Sequence, residues 1–167
     1  NIEKSQGKYK QALKAYKQVQ YQDPDFVCEV IIPIQQCYEK LNAKEDMLRY
    51  LDQVIKSCPH ISVVLATAAQ YKRFRGDREA AVFLAEHMRE KPSIRGIRHL
   101  VDYHLVQAKE EVRDDLLILR CMMDKLLENK PTYRCNHCGF STKTLHWQCP
   151  SCRQWSSIKP IHRIDGE

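Results

Sequence analysis

The sequence predicts a mainly α-helical chain of stacked helix hairpins that ends in a small metal-bound ribbon. Three observations carry this. Glycine and proline are sparse and regularly placed over the first 130 residues. Small and apolar residues recur there with a period of 34 to 35 residues. Four cysteines form two Cys-x-x-Cys pairs, Cys135 with Cys138 and Cys149 with Cys152, near the C-terminus.

The period defines the helical part, expected over residues 1–130. Gly7, Ala12, Tyr16, Val19 and Pro24 stand at offsets that Asn42, Met47, Leu51, Val54 and Pro59 repeat. Gly76, Ala81, Ala85 and Met88 repeat them again, with Pro92 one place early. This is the second half of a tetratricopeptide unit: a turn residue, a small residue that admits the neighbouring helix, an apolar stripe, and a proline that stops the helix. A fourth hairpin is expected over 94–107 and 112–129, without a clean turn signature. Leu116, Leu119, Met123, Leu126 and Leu127 form an apolar stripe on its second helix, which is expected to cap the array.

Stacked hairpins form a solenoid whose first helices line a concave face suited to proteins or peptides. The repeat register places Glu29, Ile32, Gln36 and Glu39 on that face in one helix, and Gln70 and Arg73 in the next. These are the candidate protein-binding residues.

Lys130-Pro131-Thr132 breaks the last helix, and a short strand is expected from Tyr133. The ribbon is expected over 131–167. Four thiolates at this spacing close a tetrahedral metal site, with Zn–S distances of about 2.3 Å. Gly139 follows the first pair where the turn calls for positive φ, and Pro150 stiffens the second. Ten residues separate the pairs, room for one tight hairpin. The short linker predicts that the ribbon packs on the last hairpin, with Phe140, Trp147 and Trp155 available for that contact or for the ribbon's own core. His137 and His146 lie beside four cysteines that already complete the tetrahedron. Cys28, Cys37, Cys58 and Cys121 are single and read as small helix residues.

Cysteines in a metal pattern and in helices suit a reducing compartment, with cytoplasm expected. No apolar stretch approaches the roughly 20 residues of a membrane span. The net charge of +6 is dispersed. Arg134, Lys143, Arg153, Lys159 and Arg163 against Asp165 and Glu167 give residues 131–167 a charge of +3. A divalent ion on four thiolates lowers this by about 2. A nearly neutral ribbon argues against phosphate binding, so no nucleic-acid partner is expected. No Ser/His/Asp, Cys/His or phosphate-loop arrangement recommends an enzyme. The chain opens without methionine and partway through a helix, so it is expected to be the C-terminal part of a longer array.

Helix hairpins running into Tyr133 to Phe140 (Tyr-x-Cys-x-x-Cys-Gly-Phe) and Trp147 to Trp155 (Trp-x-Cys-Pro-x-Cys-x-x-Trp) resemble the lipopolysaccharide assembly protein B family of Gram-negative bacteria. The resemblance implies a rubredoxin-like ribbon, an inner-membrane anchor not in this chain, and repeats and ribbon on the cytoplasmic face. It further implies a regulator of lipopolysaccharide synthesis that delivers the deacetylase of lipid A synthesis to a membrane AAA+ metalloprotease. Two other readings stand beside it. Residues 133–155 are similar to the zinc ribbon of the recombination protein RadA, which suggests nucleic-acid binding, and rubredoxin itself suggests an iron-loaded electron carrier. Cys₄ tetrahedra accept zinc and iron alike.

Overall fold

A computed structural model describes residues 2–161; residues 162–167 of the expected ribbon, with Arg163, Asp165 and Glu167, lie outside the described residues. Two compact units divide inside one helix, the first ending at Thr67 and the second beginning at Ala68. The first unit holds α1 (Ile2–Ser5), α2 (Tyr9–Gln22), a 3₁₀ turn (Pro24–Phe26), α3 (Val27–Lys40), α4 (Lys44–Ser57) and the start of α5 (Ile61–Arg75). The second holds the rest of α5, then α6 (Asp77–Glu90), α7 (Ile94–Leu105), α8 (Glu110–Glu128), β1 (Tyr133–Cys135), β2 (Ser141–Thr142) and β3 (Ile158–Pro160).

The repeated turn residues share a positive φ but not one geometry: Lys8 and Ala43 are the N-caps that follow Gly7 and Asn42, whereas Gly76 is itself the N-cap of α6, with an extended ψ of 174°. Gly7, Asn42 and Gly76 have φ of 75°, 52° and 102° and stand between the two helices of successive hairpins. Glycine and asparagine are the residues that enter this left-handed region most readily. The small position is also as expected, with Ala12 and Ala81 buried after their turns. These are tetratricopeptide-like hairpins.

Apolar burial holds each set of helices. In the first unit Val27, Ile31 and Ile34 of α3 meet the stripe Met47, Leu51 and Val54 of α4, all fully buried. Gln35 reaches from α3 to donate to the Ala66 carbonyl at 3.0 Å, so its buried amide is satisfied. In the second unit Ala80, Ala81 and Leu84 of α6 pack toward α7, whose first turn is capped by Ser93, with Oγ accepting from Gly96 N at 3.4 Å. Arg98 of α7 donates to Asp102 at 3.0 Å and to Asp124 of α8 at 2.6 Å.

The last helix departs from expectation. No residue of α8 is fully buried. Leu116, Arg120, Met123 and Leu127 turn inward, whereas Leu119 and Leu126 are exposed. The predicted stripe is therefore split. Leucines fill more of the helix circumference than one neighbour, α7, can cover, and periodicity does not count neighbours.

Three short antiparallel strands make the ribbon, in the order β2-β1-β3. β3 was not anticipated. It is an edge strand, and its Pro160, which lacks an N–H, is tolerated there opposite Tyr133. Tyr133, Cys135, Cys149 and Ile158 form the ribbon core, with Phe140, Leu145 and Cys152 against it. Trp147 and Trp155 are 60% and 65% exposed and are not part of it. Lys143 donates to the Glu128 carbonyl at 2.5 Å, joining the ribbon to the last turn of α8.

Candidate metal centre

Two equivalent turns build the site. In the first, Cys135 N donates to Phe140 O at 2.7 Å and Gly139 N to Cys135 O at 2.9 Å. In the second, Cys149 N donates to Gln154 O at 3.0 Å and Arg153 N to Cys149 O at 2.9 Å. Each turn thus closes on its first cysteine in the same pattern. The residue after each second cysteine is left-handed, Gly139 at φ 78° and Arg153 at φ 60°. Sequence reasoning identified the first of these and missed the second, because arginine is not a residue that signals positive φ.

The turns face each other and bring all four sulfurs together. Cys135 Sγ lies 3.8 Å from Cys152 Sγ, and Cys138 Sγ lies 3.7 Å from Cys149 Sγ. All four lie within 4.8 Å of one another. A tetrahedron with bonds of about 2.3 Å separates its ligands by about 3.8 Å, so the cage has the size that a tetrathiolate ion needs. An ion there would have every tetrahedral position filled by protein, the arrangement of a structural rather than a hydrolytic centre.

The local fields favour thiolate on the first turn. Cys135 is brought down to about 5 by Ser157 Oγ at 3.3 Å and by the backbone N–H groups of Cys138 and His137. Cys138 is lowered by the Phe140 N–H. At Cys152 the Gln154 N–H pulls down, but desolvation and the three neighbouring sulfurs outweigh it and push the thiol up to about 12. Crowded sulfurs cannot all ionise without a cation between them.

The remaining sulfur and imidazole groups lie elsewhere. His146 Nε2 is 3.0 Å from Thr144 Oγ1, and His137 is exposed. Cys37 and Cys58 are buried, Cys28 is half-buried and Cys121 is exposed.

Of the candidate protein-binding residues, Glu29, Ile32, Gln36 and Glu39 are all exposed on one side of α3, where Gln36 Oε1 accepts from Lys4. Arg73 is exposed on α5. Gln70 is not: it is buried, on the same stripe as Val63 and Thr67, and its Oε1 has no hydrogen-bond partner among the described residues. Its spacing of seven from Val63 is a core spacing, which outweighs its polarity.

Residues 133–160 match the family model described as Rubredoxin metal binding domain. The chain is 34% identical over 163 residues to lipopolysaccharide assembly protein B of Escherichia coli (strain K12), covering 97% of this chain and 42% of that protein. It is 32% identical over 162 residues to the Haemophilus influenzae protein of the same name, covering 96% and 41%. The chain therefore spans less than half the length of these relatives. Along nearly all of its own length it is similar to lipopolysaccharide assembly protein B, with a C-terminal ribbon of the rubredoxin metal binding type.

Proposed function

We infer that this chain is a non-catalytic, metal-stapled protein-binding scaffold that acts in the regulation of lipopolysaccharide synthesis. The observation that carries the reading is the similarity to lipopolysaccharide assembly protein B, which runs through both helices and ribbon. The structure adds support. Four exposed side chains share one side of α3, and all four cysteines face one another, leaving no thiol of the cage to act as a nucleophile once an ion is bound.

In this reading the helices hold the deacetylase of lipid A synthesis, and proximity to a membrane AAA+ metalloprotease on the cytoplasmic face of the inner membrane leads to its degradation. Holding and delivery are separable. A folded surface binds in solution, whereas delivery depends on the effective concentration that a membrane tether supplies.

The test expresses the chain alone, and fused to a membrane-spanning helix, in cells depleted of their own lipopolysaccharide assembly protein B. A photo-crosslinker at Ile32 should capture the deacetylase or the protease in both forms, and only the tethered form should restore the deacetylase's short half-life. Equal turnover with the untethered chain removes tethering from the mechanism. Absence of both crosslinks in either form removes the adaptor reading itself.

A further inference from the structure

Ser157 stands where the two cysteine turns meet. Its carbonyl accepts from Asn136 N at 2.8 Å, which binds it to the first turn, and its hydroxyl lies 3.0 Å from the Gln154 carbonyl of the second. The same Oγ is 3.3 Å from Cys135 Sγ. The next residue, Ile158, is fully buried and pairs with Cys135 between β3 and β1. Backbone bonds therefore set the place of the hydroxyl, and with Ser157 only 9% exposed, water has little access to compete for it.

One hydroxyl hydrogen has two acceptors within reach. With Cys135 as a thiol, its S–H donates to Ser157 Oγ and the O–H donates to the Gln154 carbonyl. A sulfur that ligates an ion has no hydrogen left and can only accept. The Gln154 carbonyl already accepts from Cys149 N at 3.0 Å, so it keeps a partner when the hydroxyl turns away. A bond to a charged acceptor is also about twice as strong as one to a neutral carbonyl. Both considerations favour the sulfur.

We propose that Ser157 is a positioning residue of the metal centre, whose hydroxyl turns from the Gln154 carbonyl to Cys135 Sγ on metal binding and holds that ligand in place. Cys135 gives up its own proton to solvent, and Ser157 keeps the one it has. Groups that bond to a metal's ligands fix their orientation and tune the charge they lend to the ion. A hydroxyl suits this place because it accepts from a thiol and, after rotation about one bond, donates to a thiolate. The inference rests on the metal-stapled reading of the ribbon and on none of its partners.

The experiment loads the full chain with cobalt(II) and reads two quantities, the thiolate-to-cobalt charge-transfer absorption and the rate of cobalt loss to a chelator. Ser157→Ala should move the absorption to longer wavelength, because a sulfur without the hydrogen bond gives up charge more easily. It should also speed release about tenfold, the worth of one hydrogen bond to a charged group. Ser157→Thr keeps the hydroxyl and should behave as the unaltered chain, whereas Ser157→Val, with the shape of threonine and no hydroxyl, should follow alanine. Dispersed ribbon amide resonances in each loaded variant separate a lost hydrogen bond from a lost fold. An absorption band unmoved in the alanine and valine variants would leave Ser157 bonded to Gln154 alone and overturn the proposal, as would threonine behaving like valine. If the unaltered chain takes up no cobalt, the metal-stapled reading falls as well; cobalt bound with identical spectra in all four chains overturns the role of Ser157 only.

Discussion

The helices and the ribbon solve the same problem by different means. In the first unit Val27, Ile34, Leu51, Val54 and Val63 are removed from water completely, and each buried side chain of this size contributes about 1.5–3 kcal/mol. The ribbon has Tyr133 and Ile158 and two of its own cysteines for a core. Chains this short rarely fold on burial alone. Its ordering falls to the four sulfurs, which are drawn in by two backbone-closed turns and repel one another unless a cation joins them. A helical unit can thus lose one contact and remain folded, whereas the ribbon depends on a single centre.

The largest effect should come from that centre. Replacing Cys149 by Ser, or removing metal with a strong chelator, takes away binding energy of the order of 10 kcal/mol or more that is also folding energy. The ribbon's amide resonances should collapse to unfolded positions while far-UV circular dichroism retains the helical signal. Elemental analysis of freshly purified protein should give one ion per chain. Colour then separates the candidates, since ferric tetrathiolate absorbs visible light and zinc does not. A ribbon that stays ordered in chelator would show that its own burial holds it and that no ion is needed.

A cavity in the helices should cost less and spread differently. Leu51→Ala removes a fully buried side chain from α4, with an expected loss of about 2–5 kcal/mol. The helical transition should move to lower denaturant, and metal content should stay at one per chain. Loss of metal in this variant would show that the two regions do not fold independently.

What could be read ahead of the structure follows the same divide. Turn positions and cysteine spacing are local signals, each enforced by a few adjacent atoms, and Gly7, Asn42, Gly76 and the four cysteines stand as their spacing implied. Side chains whose fate depends on a distant neighbour were read less well. Gln70 looks like a surface residue by its chemistry, yet its position on α5 puts it inside. Leu119 and Leu126 look like core and are exposed, because α7, the main helix packed on α8, does not cover their side. Trp147 and Trp155 flank the second pair of cysteines and suggest a core by size. Both are left outside, with Gln148 and Trp155 paired in an isolated bridge across the turn. Residues that follow their backbone are legible; residues that follow their neighbours need the fold.

The finest comparison lies inside the ribbon, between its two turns. Gly139 and Arg153 occupy the same left-handed position after Cys138 and Cys152, but only glycine is free of Cβ strain there. A Cβ at Gly139 would meet the Arg134 guanidinium no closer than 3.5 Å, an ordinary contact, so the cost of Gly139→Ala is conformational. It should destabilise the holo-ribbon by about 1 kcal/mol. Arg153→Gly relieves the same strain and should gain somewhat less than that, because glycine also loosens the unfolded chain. Competition with a colorimetric chelator reads both, as a several-fold faster metal release for the first variant and a slightly slower one for the second. If both variants release metal alike, the turns do not control the cage, and the sulfurs alone set its stability.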